Sequence, residues 1–174
     1  YTGNVWAMMI NRTVVSGVRF HAGQWQRWDK PACDGLMGEG VLAVDFFTVY
    51  AACDEGVWGT AADGGQGWAL YTSKDSGATF GLRRPIKGSV TALAVSDPGV
   101  VFVGTSDGRL ITMSDPPQTV TLDAGAVQDI GFPTSDVGFA ITSTTDSQQV
   151  VHGALYTTRD RGLHWERVPI VVAP

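Results

Sequence analysis

Charged residues are scarce in this sequence, and positive charge is especially so. They make up 17% of the 174 residues, the net charge is −5, and lysine stands only at positions 30, 74 and 87. No run of basic residues interrupts this acidic balance. Nucleic acids and anionic membrane surfaces attract proteins through clustered positive charge. The sequence therefore argues against a nucleic-acid partner and against binding to an anionic membrane.

Long apolar runs are also missing, since no stretch reaches the ~20 residues of a membrane-spanning helix. The chain is nevertheless not polar: 44% of its residues are hydrophobic, which is typical of a globular core and not of disorder. It starts at Tyr1 within a strand-like pattern, without an initiator Met or a signal peptide. We therefore expect no membrane insertion, and a chain cut or processed from a longer one.

Metal and phosphate motifs are absent as well. The three histidines, His21, His152 and His164, show no metal-ligand spacing, and no EF-hand-like spacing of acidic residues occurs. The segment Gly56-Val57-Trp58-Gly59 is followed by neither a Lys-Ser/Thr pair nor a helix, so it does not match a phosphate loop. The sequence thus predicts neither a metal site nor a cofactor.

Only two cysteines are present, Cys33 and Cys53. In a reducing compartment two isolated cysteines are usually small buried residues, whereas in an exported protein they can form a disulfide. Composition alone leaves both alternatives open.

What the sequence does contain is a repeat. The tetrapeptide Ala-Leu-Tyr-Thr occurs at 69–72 and again at 154–157, and the similar segments 73–80 and 158–165 follow its two copies. Asp75 and Asp160 stand at the same place in these segments, 85 positions apart. A repeat of this kind predicts an array of small sheets rather than one irregular domain.

Strand-forming runs bounded by turn residues extend through the sequence, and no segment predicts a convincing helix. Two units of four strands, A to D, carry the repeated segments on their C–D turns, and a shorter unit between them accounts for the spacing. Four strands in about 40 residues are typical of a propeller blade. The fold class predicted is an all-β propeller, a single region over 1–174. Its blades are expected at approximately 1–30, 41–86, 90–122 and 127–170, the first without strand A.

The segment 73–80 resembles the Asp-box, or BNR repeat, whose pattern is Ser/Thr-x-Asp-x-Gly-x-Thr-Phe/Trp. It matches at every defined position, and 158–165 matches with Thr158 for Ser and His164 for the second Thr. With a decayed copy at 114–117, the resemblance covers nearly the whole chain. It implies a β-propeller in which the box marks the fold and lies away from the active face.

The residue types of the box suit structural work in a turn. The Asp carboxylate and the Ser or Thr hydroxyl can bond the groups of their own turn, and Gly permits a positive φ. The final aromatic ring can turn back into the blade and become buried. The residues with this structural assignment are Ser73, Asp75, Gly77, Thr79, Phe80, Thr158, Asp160, Gly162 and Trp165.

An incomplete first blade leaves two alternatives for the whole propeller. Val171-Val172 can supply the missing strand and close a ring of four blades. Alternatively, the chain is part of a larger propeller, which we favour because four blades lie at the low end of the usual ~4–8. An open arc of blades would expose edge strands. The remaining blades would then come from another segment of the parent protein or from a second copy.

The B–C and D–A loops lie at the opposite end from the boxes, because successive strands alternate in direction. Two B–C loops are long, 54–66 and 143–153, and long loops on a rigid scaffold often carry sites. Cys33 and Cys53 fall at this end on adjacent blades, which favours a disulfide between them.

The acidic residues of these loops are the candidates for ligand binding. Carboxylates beside an exposed aromatic ring can hold a sugar, and a pair of them can serve glycosidic hydrolysis. The alternative is a solvated acidic loop whose tryptophan packs to hold it. The candidate ligand-binding residues are Asp54, Glu55, Trp58, Asp63, Asp146 and His152.

Asp-box propellers include sialidases, xyloglucan-cleaving hydrolases, sortilin-type receptors and photosystem II assembly factors. A sialidase has an arginine cluster and a Phe/Tyr-Arg-Ile-Pro motif before its first box, whereas Leu82-Arg83-Arg84-Pro85-Ile86 follows the box here. A Tyr nucleophile with a Glu partner is not assignable from the sequence either. No catalytic residue is therefore predicted.

The resemblance and this departure together favour a non-catalytic binding or scaffold propeller. We expect an exported protein, either secreted, periplasmic or on the cell surface, with a protein or a carbohydrate as ligand. The alternative hypothesis is part of a secreted sialidase-like or other glycoside hydrolase, whose catalytic residues would lie in further blades.

Overall fold

The structure is a computed structural model, and it describes residues 5–11, 13–33, 40–45, 48–56, 67–97, 100–123 and 125–170. The regular elements of these ranges are β-strands in four antiparallel sheets, one of three strands and three of four. The predicted all-β fold made of small antiparallel sheets is confirmed. Two compact units divide the chain, residues 1–89 and 90–174, and each contains two sheets.

The first unit begins with the three-stranded sheet and continues with a four-stranded one, each in sequence order. The first sheet comprises β1 (Val5–Asn11), β2 (Thr13–His21) and β3 (Gln24–Trp28). The second comprises β4 (Gly40–Asp45), β5 (Thr48–Asp54), β6 (Trp68–Ser73) and β7 (Gly81–Ile86).

The second unit contains two four-stranded sheets, again with neighbouring strands in sequence order. One comprises β8 (Val90–Asp97), β9 (Val100–Thr105), β10 (Arg109–Thr112) and β11 (Gln118–Thr121). The other comprises β12 (Ala126–Gly131), β13 (Gly138–Thr145), β14 (Val151–Thr158) and β15 (Glu166–Arg167). These sheets have the size and strand order of propeller blades. That all four form one propeller region over 1–174 stays a prediction.

Strand β7 starts at Gly81, after the repeated segment 73–80, because Thr79 binds Asp75 within the turn. The strand then continues through Pro85, which an edge strand tolerates since its outer N–H groups have no partner strand.

The segment 143–153, expected as a long loop, is instead mostly paired. Strands β13 and β14 pair as far as Thr145 and Val151, and only the residues from Asp146 to Val150 form the turn. The threonine-rich run 142–145 suits a strand, which outweighed its polarity. The result is a protruding hairpin.

Each unit has its own buried core. In residues 1–89, Trp6 and Trp28 of the first sheet pack with Val49, Ala51 and Cys53 on alternate positions of β5. In residues 90–174, a larger set from both sheets is buried together: Ala92, Ala94, Phe102, Leu110, Leu122, Val127, Ile130, Ala140, Ala154 and Tyr156. Alternate residues of these strands thus face the neighbouring sheet of the same unit.

Cys33 and Cys53 are joined by a disulfide, with an S–S distance of 2.00 Å and a Cα–Cα distance of 5.4 Å. Both residues are buried within the core of the first unit. The bond connects the segment after β3 to the end of β5, and the predicted pairing is confirmed.

Candidate functional site

The turn between β6 and β7 is held by its own side chains. Ser73 Oγ donates to Asp75 Oδ1 at 2.6 Å, and the backbone N–H of Gly77 donates to Ser73 Oγ at 2.8 Å. Thr79 donates twice to the Asp75 carboxylate, from its backbone N at 2.9 Å and from Oγ1 at 2.6 Å. These bonds, first of all those from Ser73 and Thr79, lower the pKa of Asp75 far below its ordinary value.

The turn between β14 and β15 repeats this geometry with one substitution. Thr158 Oγ1 donates to Asp160 Oδ1 at 2.8 Å and accepts from the Gly162 backbone N–H at 3.0 Å. His164 takes the place of Thr79, donating from its backbone N at 3.0 Å and from Nδ1 at 2.6 Å. The His164 bonds, backbone first, lower the pKa of Asp160 to about 2.

We call 73–80 and 158–165 the boxed turns. In both, the carboxylate oxygens accept bonds from residues of the same turn. A carboxylate with a strongly lowered pKa and satisfied acceptors is a poor general acid or base at neutral pH. The geometry therefore agrees with a structural role for Asp75 and Asp160.

The opposite end of each sheet, which we call the loop end, includes the β5–β6 and β13–β14 connections. Glu55 lies at this end, with its side chain only 9% exposed. Arg83 donates two hydrogen bonds to its carboxylate, from Nε to Oε1 at 2.7 Å and from Nη2 to Oε2 at 2.5 Å. The Tyr71 hydroxyl also donates to Oε1. Arg83, as the main cause, lowers the pKa of Glu55, whereas burial and Glu55 itself raise that of Tyr71.

A similar grouping recurs in the second unit. Tyr156, at the same place in the Ala-Leu-Tyr-Thr repeat as Tyr71, donates its hydroxyl to Asp123. Arg167 lies opposite Tyr156 on β15 and contributes to lowering the pKa of Asp123, although the Tyr156 bond is the main cause. A feature that recurs in two sheets belongs to the repeat. The Tyr71–Glu55 pair is therefore assigned a structural role ahead of a chemical one.

The other members of the predicted acidic cluster are only partly described. Asp54 Oδ1 accepts a bond from the Gly56 backbone N–H at 2.8 Å, which shapes the start of the β5–β6 connection. Trp58 and Asp63 lie outside the described residues. The structure therefore brings Asp54 and Glu55 to the loop end but gives their carboxylates separate partners.

Asp146 and His152 are brought together in the hairpin between β13 and β14. Asp146 Oδ1 accepts from the backbone N–H groups of Gln148 at 2.8 Å and Val150 at 3.0 Å, and His152 Nε2 lies 2.8 Å from Oδ2. The His152 bond is the main cause that lowers the pKa of Asp146. The two side chains thus stabilise the hairpin turn, and Val151 beside them is 66% exposed.

No group of three metal-ligating side chains occurs among the described residues. In the same part of the chain, no helix is long and apolar enough to cross a membrane.

Comparisons with known proteins bear on the fold. No protein-family model matches the chain, and no curated protein matches it significantly. Among solved structures, the GH74 xyloglucanase from Xanthomonas campestris is similar over 97% of this chain, with a TM-score of 0.60 and 20% identity. The chain spans 29% of the length of that protein. This likeness agrees with a β-propeller fold, as do the four sheets.

Two further solved structures are similar over most of the chain. The catalytic domain of the Coprinopsis cinerea GH62 α-L-arabinofuranosidase covers 94% of it, at 12% identity and a TM-score of 0.49. YCF48 bound to a D1 peptide covers 89%, at 16% identity and a TM-score of 0.42. This chain covers 63% and 61% of those two chains, respectively.

Sequence reasoning missed the Glu55–Arg83 pair and the Tyr71 hydroxyl beside it. Arg83 extends from β7 to the Glu55 carboxylate at the loop end. A signal was present in the repeated tyrosine of Ala-Leu-Tyr-Thr, because a half-buried phenol needs an acceptor. The sequence does not predict which residue accepts this bond. The acceptor is Glu55, after β5, in one sheet and Asp123, after β11, for the other.

Proposed function

We propose that this chain is a non-catalytic binding propeller of the Asp-box type, whose ligand contacts the loop end. The boxed turns support the Asp-box assignment, because Ser73, Asp75, Gly77 and Thr79 bond one another as the motif requires. The ligand class remains the one expected from the sequence, a carbohydrate or a protein.

The observation that carries this proposal is the β13–β14 hairpin. Its strand pairing extends two residue pairs further from the boxed turn than the pairing of β5 with β6. Asp146 and His152 fix its turn, and Val150 and Val151 are exposed beside them. A fixed hairpin that presents apolar side chains at the free end of a scaffold is suited to binding and has no group poised for bond cleavage.

Two candidate carboxylates, Glu55 and Asp146, support binding over catalysis. A glycosidase needs one protonated and one ionised carboxyl group on either side of the sugar bond. Glu55 is held ionised by Arg83, and Asp146 by His152 and two backbone N–H groups. Neither is suited to donate a proton at neutral pH.

The buried disulfide supports an exported protein. Structural disulfides persist in secreted, periplasmic and cell-surface proteins and are rare in a reducing cytosol. Cys33 and Cys53 are both inside the core of their unit, which suits a permanent bond rather than a redox switch.

A glycan array combined with a panel of fluorogenic glycosides tests the proposal. We expect binding without turnover, and we expect Val151→Asp to weaken binding while Leu163→Asp, an exposed residue in a boxed turn, leaves it unchanged. Turnover that Glu55→Gln or Asp54→Asn abolishes would show an enzyme and overturn the proposal.

A second candidate, part of a glycoside hydrolase, is supported by the fold shared with the xyloglucanase and by the Tyr71–Glu55 hydrogen bond. A tyrosine beside a carboxylate can act as a nucleophile once a base accepts its proton. Loss of glycoside turnover in Tyr71→Phe, at an unchanged melting temperature, would favour this candidate.

A further inference from the structure

The sheet β12–β15 exposes apolar side chains on the face directed away from the core of its unit. Along β13, Phe139 is 38% exposed and Ile141 is 41% exposed, and both alternate with the buried Ala140. The ring of Phe139 lies over Gly131 of the neighbouring strand, where a Cβ atom would come within 2.4 Å of it. On β14, the half-buried Leu155 pairs with Ile141 and faces the same way.

This apolar surface continues to the β13–β14 hairpin. Val151 pairs with Thr145 on the same side of the sheet and is 66% exposed. We call Phe139, Ile141, Leu155 and Val151 the outer face. From Phe139 to Thr145 it is about 20 Å long, at ~3.3 Å per strand residue.

The corresponding face of the second sheet is buried. Counted from the boxed turns, Tyr50 and Ala52 occupy the places of Phe139 and Ile141. Tyr50 is only 6% exposed and Ala52 is 0% exposed. The repeat thus builds this face as a surface to be covered, whereas the described part of the chain leaves the outer face open.

The margins of the outer face carry charge that the second sheet does not have. Asp129 of β12 and Glu166 of β15 border it through their pairing with β13 and β14, and both are exposed. Arg167 alternates with Glu166 and lies on the opposite face, so the charged residues that the described strands place on the outer face are both acidic. The second sheet has Val41 and Gly81 at the places of Asp129 and Glu166. A neutral sheet of the same repeat therefore matches the outer face poorly, and a positively charged partner matches it well.

The spacing of the two acidic margins suits an α-helix. Strands β12 and β15 are three strand spacings apart, which is about 14 Å at ~4.8 Å each. A helix with its side chains is about 10–12 Å wide, and about 14 helical residues span the ~20 Å length of the face. A helix that lies over β13 and β14 thus brings its apolar stripe onto the outer face. Lysine or arginine on its flanks can extend to Asp129 and Glu166.

We propose that the outer face binds a basic amphipathic helix of another protein. The apolar stripe packs on Phe139, Ile141 and Leu155, and the flanking cations pair with the acidic margins. The inference rests on the binding function proposed above and narrows its ligand to a protein, since Val151 of the hairpin belongs to the outer face. An apolar centre with charges at its rim is the usual composition of a specific interface.

Synthetic helices of ~18 residues, long enough to form in solution, test the proposal with the whole chain. The basic probe has one stripe of leucines flanked by lysines, and the acidic probe has glutamate at every lysine position. A third probe has the composition of the basic one with its leucines spread around the helix. Fluorescence anisotropy should show saturable binding of the basic probe, and weaker binding of the other two by at least about tenfold.

A matched pair of substitutions locates the binding site. Ile141→Ser should raise the dissociation constant of the basic probe at least about tenfold, because it removes an apolar side chain from the centre of the face. Leu163→Ser, at an exposed leucine in a boxed turn, should leave it unchanged. Serine is used because it adds no charge.

An exchange of charge provides the decisive measurement. Asp129→Lys/Glu166→Lys should lose the basic probe and gain the acidic one, while the wild type does the reverse. Binding of the acidic probe also shows that the variant is folded. With the wild type, affinity for the basic probe should fall as the salt concentration rises, since ions screen the exposed pairs.

The outcomes separate this inference from the proposed function. If the wild type binds a glycan, Val151→Asp weakens that binding and no basic probe binds up to about 1 mM, the proposed function stands and the basic helix is wrong. If neither glycans nor probes bind, both proposals fail. Equal binding of the basic probe by the charge-exchanged variant, or a dimer of the chain that Ile141→Ser dissociates, also overturns the inference, because the outer face then has another role.

Discussion

At the residue scale, the turn glycines meet two requirements at once. Gly77 and Gly162 have φ angles of 79° and 80°, a region that side chains resist, and each lies under aromatic rings. Backbone conformation alone would permit Asn or Asp at these positions. A Cβ atom would lie 2.4 Å from Phe102 at Gly162 and 3.1 Å from the Trp6 and Trp28 rings at Gly77, so packing as well as turn geometry favours glycine.

Gly162→Ala should therefore destabilise the chain by about 2–4 kcal/mol, because left-handed strain adds to overpacking against Phe102. Gly23→Ala, in an open turn of similar φ, should cost only about 1 kcal/mol. Urea unfolding measures both costs. Equal costs at the two positions would contradict the packing argument.

The boxed-turn carboxylates make stability depend on acid pH. The pKa of Asp160 is about 2 in the folded chain against an ordinary 3.8, and that of Asp75 is lowered further. A depressed pKa stabilises the fold fully above the unfolded value, and this stabilisation is lost as the pH falls through the folded value. The relevant window is therefore pH ~4 down to pH ~2.

The double variant Asp75→Asn/Asp160→Asn should melt at a lower temperature than the wild type at pH 5. The difference in melting temperature should narrow as the pH falls towards 2. The wild type then loses the stabilisation by its two ionised carboxylates, which the variant lacks at every pH. Thermal unfolding across this range measures it, with the exposed Asp29→Asn as control. Ligand binding by the folded variant should be unchanged, and a loss of binding at an unchanged melting temperature would contradict the structural role of these turns.

The boxed turns show which features the sequence predicts at the residue scale and which it does not. The Asp, Ser and Gly roles were predictable because all their partners lie within the same few residues. The rings that cover Gly77 come from Trp6 and Trp28, far away in the chain. Local pattern carries no information on such a contact, so it could not be predicted.

At the scale of the element, Arg83 links strand β7 to the start of the β5–β6 connection. Arg83 satisfies both oxygens of Glu55, whose side chain is 9% exposed, while the Arg83 side chain remains 38% exposed. The attraction in such a half-exposed pair is screened less than in a fully exposed one, and removal of the cation leaves a poorly solvated charge. Its main effect is to fix the start of the β5–β6 connection against an edge strand.

Arg83→Met should cost about 1–2 kcal/mol, because it leaves the Glu55 carboxylate poorly solvated and without its cation. The pKa of Glu55 should rise towards its ordinary value, which NMR titration of its side chain can follow. Arg27→Met, at an exposed and distant ion pair, should change stability by less than about 0.5 kcal/mol. An unchanged Glu55 titration would contradict the assignment.

Strand periodicity predicted the number and order of strands. It misplaced the strand limits where a residue type suits both a strand and a turn. Thr79 and Phe80 have strand character but belong to the turn, since Asp75 binds Thr79 and Phe80 packs into the core. Residues 143–145 were assigned to a loop because they are polar, although their β-branched threonines pair in β13. Composition resolves neither case; the hydrogen-bond partners do.

At the scale of the whole molecule, each compact unit has its own core and only one has a disulfide. A bond across 20 residues stabilises a fold by about 3 kcal/mol, mainly by restricting the unfolded chain. Cys33→Ala/Cys53→Ala should therefore weaken residues 1–89 by about that amount. Residues 90–174 should be little affected, since their core includes neither cysteine.

Hydrogen exchange read by mass spectrometry distinguishes the two units in one sample. Peptides from β5 and β6 should lose protection in the variant, while peptides from β9 and β13 should retain it. Equal loss in all four strands would show that the units unfold as one.

The boxed turns have a consequence for the order of folding. Each is closed by bonds between residues no more than four positions apart, and closing so short a loop costs little chain entropy. Contacts that are local in sequence form fast, whereas those between sheets must wait for the chain to come together. Residues 73–80 and 158–165 can thus become native before any sheet meets its neighbour, as nuclei from which the flanking strands grow.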